Sequence, residues 1–504
     1  MITFFINNYL SFHYRKVHHF LDHPIQTQEN VLKYLLSNGM ETYFGQQHQF
    51  SSIHNKDDFR KKVPVSNYEM LRPYLDKIIV EKKTNILWNK PVKWFAMSSG
   101  TTEDKSKYIP VTEESLHGGH YECGRQMLSI YTRNNRESRF LLGKTLILGG
   151  SKQYNHIGGG IFTGDISAIL VKNLNFLAKR GRTPESIALL SDWEEKLEAL
   201  TEYAMKHDIR ALMGVPSWLL ILLKKIRQES GKSLSDLWPH LEVFFHGGVN
   251  FDPYEEQYNK LIGKPGMQYW ETYNASEGFF GVQYDKSSKD MLLMLDNGIY
   301  YEFVPSQEWG KASPESVTLD EIKIGENYAV VISSNGGLWR YQLGDTIQFT
   351  STHPYLFRIT GRTKSFINAF GEELIVDNAE KALAKVCQQM GVEIGEYTAA
   401  PIYFAENKKG AHEWAIEFDT EPSDLNQFIE KFDQALKSVN SDYEAKRSHN
   451  LSLQLPVVRV LPKGTFFAWM ESRNRLGGQN KVPKLANHRN YMDELLTFIE
   501  RNMK

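Results

Sequence analysis

The sequence predicts an α/β protein in which a large N-terminal domain is followed by a small, mobile α+β domain. Three observations carry this. From Thr145 to Tyr273, short apolar strands alternate with helical stretches, the pattern of α/β layers with largely parallel sheet. From Gly298 to Arg362 the chain turns to antiparallel β, with Asn335-Gly336-Gly337 as a hairpin turn. Beyond Arg362 the character changes again, to helices and strands of a separate α+β unit. A chain of 504 residues is also too long for one ordinary domain. The expected division is 1–361 and 362–504, with a hinge near 361–364.

Taken in order, Val31, Leu32, Leu35 and Leu36 have helical spacing, and a second helical stretch lies near Glu69 to Leu75. Trp94 to Met97 and Tyr108 to Val111 read as strands running into and out of a polar loop. Thr112 then caps a long helix reaching about Ile130. That helix carries His117, His120 and Cys123, a spacing with a metal reading, but Gly118-Gly119 fits a close packing contact better, and nothing nearby completes a ligand set. Ala211 to Pro216 is a strand meeting a Pro-started helix. Leu241 to Gly248 and Met267 to Tyr273 are strands ending in His-Gly-Gly and in Asn-Ala-Ser-Glu-Gly. Leu338 to Leu343 is read as a strand that Gly344-Asp345 breaks. In the last part, Asp377 and Glu380 suggest a capping box for a helix closed by Gly391, and Leu425, Phe428, Ile429, Phe432 and Leu436 share one helical face.

Composition narrows the classes. Hydrophobic residues make up 41% and charged residues 24%, which describes a folded, soluble chain. The formal net charge of −1 removes the general electrostatic case for nucleic acid or an acidic membrane as partner. Two cysteines, Cys123 and Cys387, form no disulfide framework and suit a reducing cytoplasm. No signal peptide is read at the N-terminus, and no apolar run approaches the ~18–20 residues that span a bilayer. A cytoplasmic location is expected; oligomeric state is not readable.

The chemistry-bearing stretch is Met97-Ser98-Ser99-Gly100-Thr101-Thr102-Glu103-Asp104-Lys105-Ser106-Lys107. Glycine lets the main chain approach a ligand, hydroxyls and freed N–H groups donate to anionic oxygens, and lysine supplies a compact positive charge. A polyphosphate tail requires this set; the plain alternative is a polar surface hairpin. No Walker A sequence and no dinucleotide fingerprint occurs. Ligands of parallel sheets gather at the carboxyl ends of strands, where His246-Gly247-Gly248 and Tyr273 to Gly278 lie.

Five polar segments stand in a fixed order: Ser-Ser-Gly-Thr-Thr with Lys107, Tyr-Asn-Ala-Ser-Glu (273–277), Tyr-Gln-Leu-Gly-Asp (341–345), Thr-Gly-Arg-Thr-Lys (360–364) and Gln-Asn-Lys-Val-Pro-Lys (479–484). Order and spacing resemble the adenylate-forming enzyme superfamily, and more closely the auxin-responsive Gretchen Hagen family of acyl acid–amido synthetases. Asp104, Ser106 and Gln342 depart from the family pattern. The resemblance implies ATP and Mg²⁺, with a carboxylic acid and an amino acid or other amine as partners, and neither nucleic acid nor membrane. It implies that Ser98, Ser99, Gly100, Thr101, Thr102 and Lys107 hold the β- and γ-phosphates. Gly247 and Gly248, with Tyr273, would border the adenine, and Ser276 would be a further ATP-binding residue. Glu277 would help hold Mg²⁺, Asp345 would take the ribose hydroxyls, and Arg362 would reach ribose or phosphates. Lys481 would stabilise charge at the α-phosphate, Lys364 would sit at the hinge, and Gly371 would lie on a loop that swings in for the second step. Val215 and Trp218 are candidate acyl-pocket lining. The implied activity is acid adenylation followed by acyl transfer to an amine. Transfer to coenzyme A and a non-catalytic nucleotide-binding relative are the alternatives.

Overall fold

The computed structural model describes residues 2–99, 106–150, 154–248, 251–363, 366–372, 374–404, 409–447, 453–473 and 482–502. Its first strands are β1 (Trp94–Ser99), β2 (Ser106–Val111), β3 (Lys144–Ile147), β4 (Asn155–His156), β5 (Phe162–Gly164), β6 (Ile209–Gly214) and β7 (Val243–Gly247). There follow β8 (Gln268–Ala275), β9 (Gly278–Gln283), β10 (Met291–Leu293), β11 (Ile299–Pro305), β12 (Asn327–Ser334), β13 (Tyr341–Thr352) and β14 (Tyr355–Arg362). The last are β15 (Phe366–Ile367), β16 (Leu374–Ile375), β17 (Glu393–Ile402), β18 (Ala411–Thr420) and β19 (Val457–Leu461).

The alternating and the antiparallel parts of the sequence join in one ten-stranded sheet, ordered β11-β12-β13-β14-β10-β9-β8-β7-β6-β3. Its β3, β6, β7 and β8 are parallel, and the pairing turns antiparallel from β8 onward. The parallel strands read as near-continuous apolar runs because helices cover them, among them Trp193–Lys206, Pro216–Ser230 and Asp252–Ile262. A second sheet, β2-β1-β5-β4, carries the polar hairpin, and β17-β18-β19 forms the sheet of the C-terminal part.

Several local expectations change. Gly344-Asp345 does not end a strand: β13 runs from Tyr341 to Thr352. Gly344 has φ +87°, and the β12 partner shifts from Thr346 to Gln342 between Ala329 and Val331, so the break is a bulge that re-aims Asp345. Leu338 to Arg340 belong to the turn and not to the strand, because Ser334 N–H bonds to Leu338 O at 2.8 Å. The helix Val376–Met390 is capped by Asn378, whose Oδ1 accepts from Ile375 N–H at 3.3 Å, in place of an Asp377–Glu380 box. The helix after Thr112 starts with a π-helical stretch, Ser115–His120, and continues as Tyr121–Asn134.

The expected boundary follows β14, yet one apolar cluster spans it. Leu146, Leu212, Phe244, Tyr254 and Tyr258 share this core with Ile367, Phe370, Phe404, Trp414 and Leu485. No helix among the described residues is long and apolar enough to cross a membrane.

Candidate functional site

Tyr273, Asp345 and Arg362 come from β8, β13 and β14 and meet in one hydrogen-bonded group. The Tyr273 hydroxyl donates to Asp345 Oδ2 at 2.6 Å, and Arg362 Nε donates to Oδ1 at 2.6 Å. Asp345 and Arg362 are opposed in the β13–β14 register, so the sheet itself sets this ion pair. Both carboxylate oxygens keep lone pairs for further donors. The Arg362 guanidinium also lies 5.2 Å from the centre of the Phe366 ring. Burial, then the Asp345 carboxylate, hold the Tyr273 phenol far above its ordinary range, so it stays a donor.

The Tyr273 ring is only 7% exposed and packs on Phe280 at 4.9 Å and Phe357 at 6.1 Å. The tyrosine presents its hydroxyl to Asp345 and keeps its ring in the core. Ser276 and Glu277 form the turn between β8 and β9, and the Glu277 charge reaches the Tyr273 hydroxyl.

Gly247 lies opposite Thr272 in the β7–β8 register, one residue before Tyr273. A Cβ on Gly247 would sit 2.3 Å from Thr272 O, so only glycine fits. Gly248 has φ +83° and faces Val215, whose Cγ2 is 3.5 Å from where a Cβ would stand. Val215 caps the helix Pro216–Ser230, which carries Trp218 in its first turn. His246, just before the glycines, is buried and stacks on Phe251 at 4.2 Å; burial pushes its imidazole down to about 3, so it is a neutral core residue.

In the hairpin, Ser98 lies opposite Lys107, and directly opposed residues share a face of the ladder. The hairpin is tied from two sides. Tyr108 N–H donates to the Tyr68 hydroxyl at 3.0 Å, and Thr112 Oγ1 donates to Asn335 O at 2.7 Å. Gly100, Thr101, Thr102, Asp104, Lys364 and Lys481 lie outside the described residues. Ser99 is described as the last residue of β1.

The metal reading of the helix after Thr112 fails. His117 is exposed beside Glu113, and burial holds the His120 imidazole at about 4. The Cys123 sulfur accepts the Asn297 amide at 2.6 Å. Among the described residues no three His, Cys, Asp or Glu side chains are placed to hold a metal ion.

Sequence reasoning missed the residues that fasten the segment after the expected hinge. Asn368 Nδ2 reaches Gly248 O at 3.4 Å, and the Tyr254 hydroxyl donates to Ala369 O at 2.6 Å. The fully buried Glu372 accepts from the N–H groups of Ala369 and Phe370 at 3.2 and 2.7 Å and meets His412 Nε2 at 2.7 Å. Lys446 lies 4.1 Å above the Trp218 ring. These residues carry no local motif; only the tertiary packing reveals them.

Sequence models of the GH3 family match along the chain: the N-terminal domain at residues 13–185 and 181–267, the central domain at 292–362 and the C-terminal domain at 377–490. The chain belongs to the GH3 family. Among its relatives, the indole-3-acetic acid-amido synthetase GH3.4 of Arabidopsis thaliana is 23% identical, over 92% of this chain and 89% of that protein. The jasmonoyl–L-amino acid synthetase JAR4 of Nicotiana attenuata is 23% identical, over 91% and 90%. The fold is that of adenylate-forming enzymes. The solved GH3.15 acyl acid amido synthetase superposes with a TM-score of 0.59 at 19% identity, over 94% of this chain and 93% of that one. A 2-hydroxyisobutyryl-CoA ligase superposes at 0.57 and 12% identity, over 94% and 91%. In this GH3 chain, Asp345, Arg362 and Tyr273 are expected nucleotide contacts joined by direct hydrogen bonds.

Proposed function

We propose that this GH3 protein is an ATP-dependent acyl acid–amido synthetase. The observation that carries the reading is the Tyr273–Asp345–Arg362 group, set beside the Gly247–Gly248 turn at the strand ends where α/β sheets take ligands. The naming of its relatives as amido synthetases supports it.

In the first step a carboxylate oxygen attacks the α-phosphorus of ATP. The α–β P–O bond breaks, giving acyl-AMP and pyrophosphate. No general base is needed, since the nucleophile is already ionised. In the second step an amine nitrogen attacks the acyl carbon; AMP leaves with the C–O electron pair, and the nitrogen loses a proton. Asp345 would accept from the ribose hydroxyls, and Arg362 holds that carboxylate in place. Ser98 and Lys107, on one face of the hairpin, would serve the phosphates with the loop residues Ser99 to Thr102. Lys481 would supply the positive charge at the α-phosphate, and electrostatic stabilisation of this kind is the main requirement of the first step. Glu277 fits Mg²⁺, a hard cation that takes one or two carboxylates plus phosphate oxygens and neutralises their charge. Residues 362–504 would act as a cap swinging about 361–364.

The test is acid-dependent exchange of labelled pyrophosphate into ATP. Exchange with at least one acid from a broad aliphatic and aromatic panel is expected; none, from protein that binds ATP, refutes the reading. A second reading, acyl-CoA ligation, is favoured by the near-equal superposition on a CoA ligase. Product analysis with amino acids against coenzyme A separates the two.

A further inference from the structure

A cavity of about 520 Å³, a volume that suits a small molecule, lies between the helix Ile2–Asp22, the end of the helix Tyr121–Asn134 and the turn leading into β3. Its wall carries Arg15, Arg133, Arg136 and Arg139 and no carboxylate. In a chain whose formal net charge is −1, this is a concentrated positive surface.

Arg139 shows where the cavity stands in the fold. Its N–H donates to Glu242 Oε2 at 2.9 Å, and its carbonyl accepts from Arg210 Nη1 at 3.2 Å. Glu242 directly precedes β7, and Arg210 is the second residue of β6. The cavity therefore adjoins the N-terminal edge of the parallel strands, while Gly247 and Gly248 mark the opposite edge. The five residues of β7, at ~3.3 Å each, put the two edges about 16 Å apart. The cavity is separate from the Tyr273–Asp345–Arg362 group.

Charge on this wall is unbalanced. Among the described residues none of the four guanidinium groups has a carboxylate as ion-pair partner, and the neighbouring acids are committed elsewhere. Glu122 pairs with His13, Lys16 and Arg125. Glu242 accepts from the Tyr131 hydroxyl at 2.7 Å as well as from Arg139 N–H. Asp208 pairs with Arg210 and His240. The helix end has its own donors too. Ile130 O accepts from Asn134 Nδ2 at 3.0 Å, and Tyr131 O from the N–H and Nδ2 of Asn135 at 3.0 and 3.1 Å. Arg133 is set in place by the Tyr14 ring, 4.3 Å away. Leu141 and Leu142, 37% and 43% exposed, add an apolar edge beside the charges. Like charges around one hollow repel one another, and an anion between them relieves that repulsion.

We propose that this cavity binds a small molecule carrying at least two phosphate groups. The planar fork of a guanidinium matches phosphate oxygens. A phosphate monoester carries about −1.5 to −2 at pH 7, so two such groups balance four arginines where a dicarboxylate balances half of them. The hollow shape favours a small ligand over a bilayer, which presents a flat surface.

The experiment is isothermal titration calorimetry with fructose 1,6-bisphosphate and, as a control with carboxylates only, citrate. It compares wild type, the double variant Arg136→Gln with Arg139→Gln, and Lys107→Ala, which disarms the expected nucleotide site. Wild type is expected to bind the bisphosphate more tightly than citrate, and less tightly as salt rises. The double variant should weaken that binding by about tenfold or more, and Lys107→Ala should leave it within about twofold. Pyrophosphate exchange by the double variant should match wild type. Should Arg139→Gln unsettle the turn, Arg15→Gln with Arg136→Gln makes the same test. No binding of the bisphosphate by wild type at about 1 mM, or equal affinity in wild type and the arginine variants, overturns the site. Binding lost in Lys107→Ala alone assigns the anion to the nucleotide site and overturns it as well. Sedimentation with phosphatidylcholine vesicles only when they contain phosphatidylserine, without binding of the bisphosphate, assigns the arginines to a membrane surface instead.

Discussion

Asp345 and Lys446 are held by opposite means. Asp345 is gripped by Tyr273 and Arg362, each at 2.6 Å, on strands of a ten-stranded sheet. Lys446 rests on the Trp218 face, on a two-turn helix of the C-terminal part. The first arrangement fixes direction, because two charged or polar donors define where the carboxylate points. In the second, the contact with the ring face fixes position, because a ring face imposes no hydrogen-bond direction. A nucleotide presents the same ribose at every turnover and suits the first.

The largest effect is expected in the first. Asp345→Ala removes the acceptor of both Tyr273 and Arg362 and strands a buried phenol, so pyrophosphate exchange should fall about a hundredfold, close to 3 kcal/mol. A fall of less than about threefold would show that the group is structural and not a nucleotide contact. Gly371→Ala attacks the second. It forces a side chain into φ +88° and against Lys446, which should cost about 1–2 kcal/mol of stability in denaturant unfolding. An unchanged unfolding curve would show that the turn accepts a side chain. Tyr254→Phe removes the hydrogen bond to Ala369 O and should cost about 1 kcal/mol, read by the same unfolding curves. Tyr273→Phe is milder than Asp345→Ala, since Arg362 still holds Oδ1; a severalfold rise in the KM of ATP is expected. The smallest effect is pH-dependent. Burial lowers the Lys446 pKa, so its charge is lost at a lower pH than the ~10.4 of an exposed lysine. The folded state therefore sheds this proton before the unfolded chain does, so stability should rise with pH in the interval just below ~10.4, and Lys446→Met should abolish that rise in unfolding curves taken across pH.

What the sequence carries well is what repeats along it. Apolar runs at strand spacing located β6, β7 and β8, and helical spacing located the helix Leu425–Val439. The polar segments at 273–277, 341–345 and 360–364 gave the members of the hydrogen-bonded group, because their order is a property of the chain. Their geometry was not legible. The Gly344 bulge follows from pairing with β12, which no local pattern encodes, and the inward turn of the Tyr273 ring follows from Phe280 and Phe357. Lys446 is least legible of all: in sequence it is one lysine in a charged helix, and only the approach of Gly371 and Trp218 gives it a place.

The apolar cluster shared by the two halves of the chain ties motion to temperature. Tyr254 packs on Phe404 at 6.2 Å and on Tyr403 at 6.3 Å, inside the cluster that links Leu146 to Leu485. Any rotation of residues 362–504 about 361–364 that parts these rings brings apolar surface into water, with a positive change in heat capacity. Such contacts weaken on cooling. The rotation should then be freer in the cold, and an Arrhenius plot of a step limited by it should bend where a purely chemical step would give a straight line.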